Sequence, residues 1–223
     1  MSRQPGPPAE FSGFSVAALD FYDDLENDNS KDFFTRHRQV YDEQVRAPMV
    51  ALLALLEPEF GAGKVFRPYR DLRFTNDPTP YKTHQGGFVA RSQANGYYVE
   101  LNAAGLRVGA GFYDASSQVI GRYRDAVAHK TTGPALQRIL DRLVSDGFEI
   151  GGDRLKTRPR GYDAKHPRIE LLRHRSLFAG RTYHDSPAWL SRPEAADRVR
   201  ADWQTLRPLV DWVSAHVSPR TSG

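Results

Sequence analysis

The chain has 223 residues, 39% hydrophobic and 26% charged, with no cysteine and a formal net charge of +4. A chain of this length can bury a core without covalent staples, and disulfides, cysteine-ligated metals and thiol nucleophiles are excluded. Its 31 basic residues against 27 acidic ones are too nearly balanced for a protein that coats nucleic acid along its whole surface.

Residues 1–12, rich in proline and glycine, read as a flexible lead and lack the apolar core of a signal peptide. Residues 16–26 have helical spacing, with Leu19, Tyr22 and Leu25 facing inward. Asn29 or Ser30 is placed to cap the next helix. There Phe34, Tyr41, Val45, Met49, Leu52, Leu53 and Leu56 recur near the helical period, and Pro48 predicts a kink or a break. The apolar run 49–56 is far too short to cross a membrane. No membrane contact is expected, and the cytoplasm is the default location.

The period then changes. Phe88, Val89 and Ala90 read as a short strand, and Tyr97, Val99 and Leu101 alternate with Tyr98, Glu100 and Asn102. After a turn at Gly105, Leu106, Val108, Ala110 and Phe112 alternate again, which is a hairpin signal. Helical patterns return at 117–130 and 134–146, the second with a stripe of Leu136, Ile139, Leu140 and Leu143 and a stop at Gly147. Residues 148–150 and 177–183 read as strands and 167–174 as a short helix. Ser191 and Glu194 have capping-box spacing before a helix whose Val199, Trp203, Leu206, Val210, Val213 and Val217 form a core-facing stripe, with a kink expected at Pro208. Helices at both ends and strands between them predict an α+β fold: one domain, residues 13–217, with a central, mostly antiparallel sheet and a flexible tail at 218–223.

Familiar cofactor motifs fail on inspection. Gly61-Ala62-Gly63-Lys64 is no phosphate loop, because Pro58 stands where glycine is needed and Val65 where serine or threonine is. The seven histidines show no metal-ligand spacing. No metal and no cofactor is expected.

Two cationic segments about eighty residues apart are the chemical signal. The first is Phe66-Arg67-Pro68-Tyr69-Arg70-Asp71-Leu72-Arg73-Phe74, followed by Pro80-Tyr81-Lys82. The second is Leu155-Lys156-Thr157-Arg158-Pro159-Arg160-Gly161-Tyr162-Asp163, followed by His166-Pro167-Arg168. The leading expectation is a pocket for a small phosphorylated or carboxylated ligand. Arg67, Arg70, Arg73, Lys82, Lys156 and Arg158 would supply charge, Asp71 would aim a guanidinium, and Tyr81 or Tyr162 would donate a hydrogen bond. An enzyme reading adds His166, with Asp163 or Asp71, as acid or base in hydrolysis or transfer. A third reading is single-strand nucleic-acid binding by residues 154–175, with Tyr97, Tyr98 or Tyr162 as stacking platforms; the modest net charge ranks it last. Against these stand an internal ion-pair network through Asp71, Asp163 and Glu170, plain solvated charge, and a His166 that only opens a helix. Oligomeric state is left open.

These two segments, with the stretch from Phe14 to Phe34, resemble the bacterial and fungal family known as domain of unknown function 2461. The resemblance spans residues 11–212. It implies a single-domain cytoplasmic protein and carries no activity with it. The chain departs from the family pattern at Thr75-Asn76-Asp77-Pro78-Thr79, where a serine and a lysine are expected nearby.

Overall fold

The computed structural model describes residues 10–71, 78–92, 95–113 and 116–217. It has an α+β fold on a six-stranded antiparallel sheet, with helices from both ends of the chain. The strands are β1 (Gly63–Val65), β2 (His84–Ser92), β3 (Asn95–Asn102), β4 (Gly105–Phe112), β5 (Glu149–Gly151) and β6 (Leu177–His184), in the sheet order β1-β2-β3-β4-β6-β5. The chain gathers into two compact units: residues up to 89, 98–107 and 182–201 form the first, and 90–97, 108–181 and 202 onward the second. The expected lead falls mostly, and the tail wholly, outside the described residues; packing reaches back to Phe11, which is buried edge-on against Phe14.

In the first unit, α1 (Val16–Asn27) buries Leu19, Tyr22 and Leu25 as its spacing predicts, and Ala18 and Phe21 beside them. Ser30 is the cap of α2 (Lys31–Arg36), accepting from the Phe33 amide at 3.1 Å. Asn29 has a different task. Its side-chain amide donates to the Tyr81 carbonyl at 3.0 Å and accepts from the Tyr81 amide at 3.1 Å. One side chain thus replaces a neighbouring strand for Tyr81, whose backbone would otherwise be buried without partners.

The long helix expected after Ser30 is broken up. It continues through α3 (Arg38–Val40), a π-helical turn at Tyr41–Arg46, and α4 (Ala47–Phe60). The proline effect lies just upstream of Pro48. The Ala47 amide donates to the Asp42 carbonyl, five residues back. Pro48 has no N–H to give and its ring crowds the carbonyl four residues earlier, so the backbone widens before it. Tyr41, Val45, Met49, Leu52, Leu53 and Leu56 are all buried. Gly105 turns the β3–β4 hairpin at φ 137°, a conformation that disfavours side chains.

In the second unit, α5 (Ser117–Ala128) and α6 (Thr132–Ser145) return their apolar faces to the core, and Gly147 follows α6 at positive φ. Tyr97 packs on Trp203, and Tyr123 on Phe112 and Trp212. The last helix, α8 (Glu194–His216), runs on through Pro208. Ahead of it the Ser191 hydroxyl donates back to the Ala188 carbonyl at 3.3 Å. No helix among the described residues is long and apolar enough to cross a membrane.

Two outcomes follow. Asn29→Ala leaves both Tyr81 backbone groups without their partner and lowers stability by about 1–3 kcal/mol, read by urea denaturation; an unchanged midpoint would show that solvent replaces the clasp. His174 is buried, its Nδ1 donating to the Ser176 carbonyl at 2.9 Å. Burial holds its proton affinity below the usual 6.5. A base with a lowered folded pKa contributes its full stability above 6.5 and loses it as pH falls through that value, because the unfolded chain takes the proton first. The urea midpoint therefore drops between pH 7 and pH 5, and His174→Gln flattens the slope.

Candidate functional site

The first cationic segment lies in the first unit as an antiparallel ribbon. Tyr69 bridges Tyr81, the Arg70 amide donates to Pro80 at 2.9 Å, and the Lys82 amide donates to Pro68 at 2.7 Å. The loop between, residues 72–77, is outside the described residues, and Arg73 with it. Neither Pro68 nor Pro80 could donate to this ladder. The available N–H groups belong to Arg70 and Lys82, and both are used.

Side chains alternate across such a ribbon. Tyr69 and Tyr81 share one side. Tyr81 is buried and stacks flat on Phe34, ring centroids 4.1 Å apart, and Tyr69 lies 5.4 Å from Tyr81. Arg70 and Lys82 take the other side. Below them the pairing shifts. Phe66 pairs with Gly86 and Pro68 with Lys82, so one strand advances two residues while the other advances four. This bulge, which holds Thr83 and His84, restores the regular register that β1 shares with β2. Gln85 then points to the helical side, where its amide accepts from the buried Tyr41 hydroxyl at 2.7 Å. Burial pushes the Tyr41 phenol up to about 12, keeping it a donor. His84 points the other way.

On that face a chain of contacts joins five side chains. The Lys82 ammonium lies 5.3 Å from the Phe66 ring centre. Phe66 adjoins Tyr98 at 6.3 Å, the Tyr98 hydroxyl donates to Glu100 Oε2 at 2.5 Å, and the same oxygen is 3.9 Å from His84 Nε2. Gly86 makes this approach possible, since a Cβ there would come within 2.9 Å of both Phe66 and Tyr98. Burial, then the neighbouring Arg67, lowers the proton affinity of Lys82. Burial also lowers that of His84; Glu100 opposes the shift, and Lys82 and Arg70 reinforce it. Burial and Glu100 push the Tyr98 phenol far up, so it stays protonated. The face is therefore rich in positive charge, with one carboxylate at its edge. Arg67 and Asp71 are exposed and Arg70 half-buried.

The second segment lies in the second unit and is an irregular arm rather than an alternating strand. Arg154 bridges His174, and the Leu155 amide donates to Arg173 at 2.9 Å. The Arg173 guanidinium ties the arm down through the carbonyls of Leu155 and Lys156, both at 2.8 Å, while also meeting the Glu170 carboxylate. Arg158 donates to the Tyr162 carbonyl at 2.8 Å. Arg168 donates to Val127, Ala128 and His129, the carbonyls at the end of α5. Lys156 and Arg160 are exposed. The Tyr162 hydroxyl reaches Asp125 at 3.5 Å. The Asp163 carboxylate accepts from the Lys165 amide at 2.8 Å, and His166 Nδ1 accepts from the Arg168 amide at 3.1 Å. Both side chains thus close the turn that leads into α7 (Ile169–Leu172). Tyr97 is buried, so as a stacking platform for bases it is withdrawn from solvent. Among the described residues no group of three histidine or acidic side chains could hold a metal ion.

Sequence reasoning named Arg67, Arg70 and Lys82. Tyr81, expected to donate to a ligand, is instead buried on the opposite side against Phe34, because alternation turns it away from Lys82. His84 and Glu100 were missed, and Tyr98 was given another task. A signal was present. His84 follows Lys82 by two residues, and Tyr98 and Glu100 occupy the outward phase of an alternating strand whose Tyr97, Val99 and Leu101 point inward.

No curated protein matches the chain. A family model described as a conserved hypothetical protein (DUF2461) matches residues 17–212, which takes in both cationic segments, β2, β3 and nearly all of α8. The chain belongs to the domain of unknown function 2461 family.

Proposed function

We propose that the chain binds a small anion, a phosphate or carboxylate group of a soluble ligand, on the face of the first unit that carries Arg67, Arg70, Lys82 and His84. The observation behind it is Lys82. Its half-buried ammonium lies over the Phe66 ring, and both burial and Arg67 act against its charge. Like charges held together cost folding energy. An anion among them reverses the sign of that interaction and offers the planar guanidinium forks two oxygens each. The Asn29 clasp and the two prolines hold the ribbon ready, which reduces the ordering cost of binding. The second segment contributes less to this reading, since Arg158, Arg168 and Arg173 already donate to backbone carbonyls.

Calorimetric titration with inorganic phosphate, a phosphate monoester and a short dicarboxylate at low salt tests the reading. Binding of at least one is expected, weakened about tenfold or more by Arg70→Ala and by Lys82→Ala, as for loss of a charge-assisted hydrogen bond, and little changed by Lys156→Ala. Silence toward all three ligands would overturn it. Lys82 offers a second readout. Its lowered proton affinity leaves more neutral amine at a given pH, so its acetylation rate rises at lower pH than that of exposed Lys31. Bound phosphate should shift the curve back upward; identical curves for the two lysines would contradict the crowding of charge.

A further inference from the structure

Resting on that reading, we infer that the face selects a phosphate group that still carries an acid proton over a fully ionised anion of the same charge and shape, such as sulfate. The cations alone would not discriminate, because guanidinium and ammonium groups only donate. Discrimination comes from the two groups at their edge that accept.

Glu100 is the first. Its carboxylate is held by the Tyr98 hydroxyl at 2.5 Å and by the Asn102 amide at 3.3 Å, with 15% of the side chain exposed. Both partners donate, so its two oxygens are held as acceptors. His84 is the second. Its Nε2 faces Glu100 Oε2 at 3.9 Å, and the negative charge favours the tautomer with the proton on Nε2. Nδ1, the nitrogen that Glu100 does not face, then carries a lone pair. Burial, Lys82 and Arg70 act against a second proton on the ring, so the imidazole stays neutral near pH 7.

An anion entering between Arg70 and Lys82 therefore meets donors on one side and acceptors on the other. Sulfate has only lone pairs to present to Nδ1 and only negative charge to present to Glu100. Hydrogen phosphate has the same charge and nearly the same shape but turns its P–OH toward the acceptor. The monoanion of a phosphate monoester does the same, and its second pKa of about 6 keeps that form accessible near neutral pH. Selectivity here is a repulsive element combined with one extra hydrogen bond.

The test is titration of the full chain at pH 7.5 with inorganic phosphate and with sulfate. Phosphate should bind about ten- to a hundredfold more tightly, the range expected for one hydrogen bond involving a charged group. Glu100→Gln removes the repulsion and His84→Leu removes the acceptor; each should bring the ratio toward one, with sulfate gaining in the first variant and phosphate losing in the second. Circular dichroism melts check that both variants fold, and the wild-type ratio decides the matter if either does not. Equal affinity for the two anions leaves the anion site standing and overturns the selectivity alone. Failure of phosphate and every other anion to bind removes the site and this inference with it.

Discussion

The double hydrogen bond from the Asn29 amide to the backbone of Tyr81 is the constraint on which the first unit's candidate site depends. It ties the ribbon of Pro68–Arg70 and Pro80–Lys82 to the junction of α1 and α2. Once Tyr81 is fixed, the alternation of a strand settles the rest. Tyr81 goes inward onto Phe34, and Lys82 must go outward. A loose ribbon would let Lys82 turn to water and avoid Arg67. A clasped one holds Lys82 near Arg67.

The bulge at Thr83–His84 adds the second element. Its two extra residues preserve the alternation set at Tyr81 and Lys82, so His84 keeps the side of Lys82 and Gln85 that of Tyr81. With the bulge, the strand re-enters the regular register with Gln85 facing Tyr41 on the helical side and His84 facing Glu100 on the other. A buried neutral network, Tyr41–Gln85–Phe66, thus lies back to back with a charged one, Tyr98–Glu100–His84. The first lies beneath the candidate site, and the second carries its charged and hydrogen-bonding groups.

The two cationic segments look alike in sequence and differ in use. In the second, arginines act as long hydrogen-bonding struts. Arg168 satisfies the carbonyls that α5 leaves without partners, and Arg173 holds the arm from Leu155 to Lys156. Asp163 and His166 shape a turn. The same residue types that suggest a ligand site from spacing alone are the ones best suited to tie down irregular backbone, because a guanidinium reaches several carbonyls at once.

The α+β class, the β3–β4 hairpin, the α1 face and the apolar stripes of the later helices were legible in the sequence, because each depends on a local period and on burial of whatever that period places on one side. The family was legible too, from runs such as Phe66–Phe74 whose residue types are unusual together. Three things were not. The widening before Pro48 depends on a backbone choice between a kink and a π turn. The Asn29 clasp spans 52 residues, and no spacing rule connects an amide side chain to a backbone so far along the chain. Alternation puts His84 on the side of Lys82, but its meeting with Glu100 required the pairing of segments distant in sequence. Periodicity assigns a residue to a face; only the folded chain decides which other face it meets, since that is set by hydrogen-bond register between segments distant in sequence.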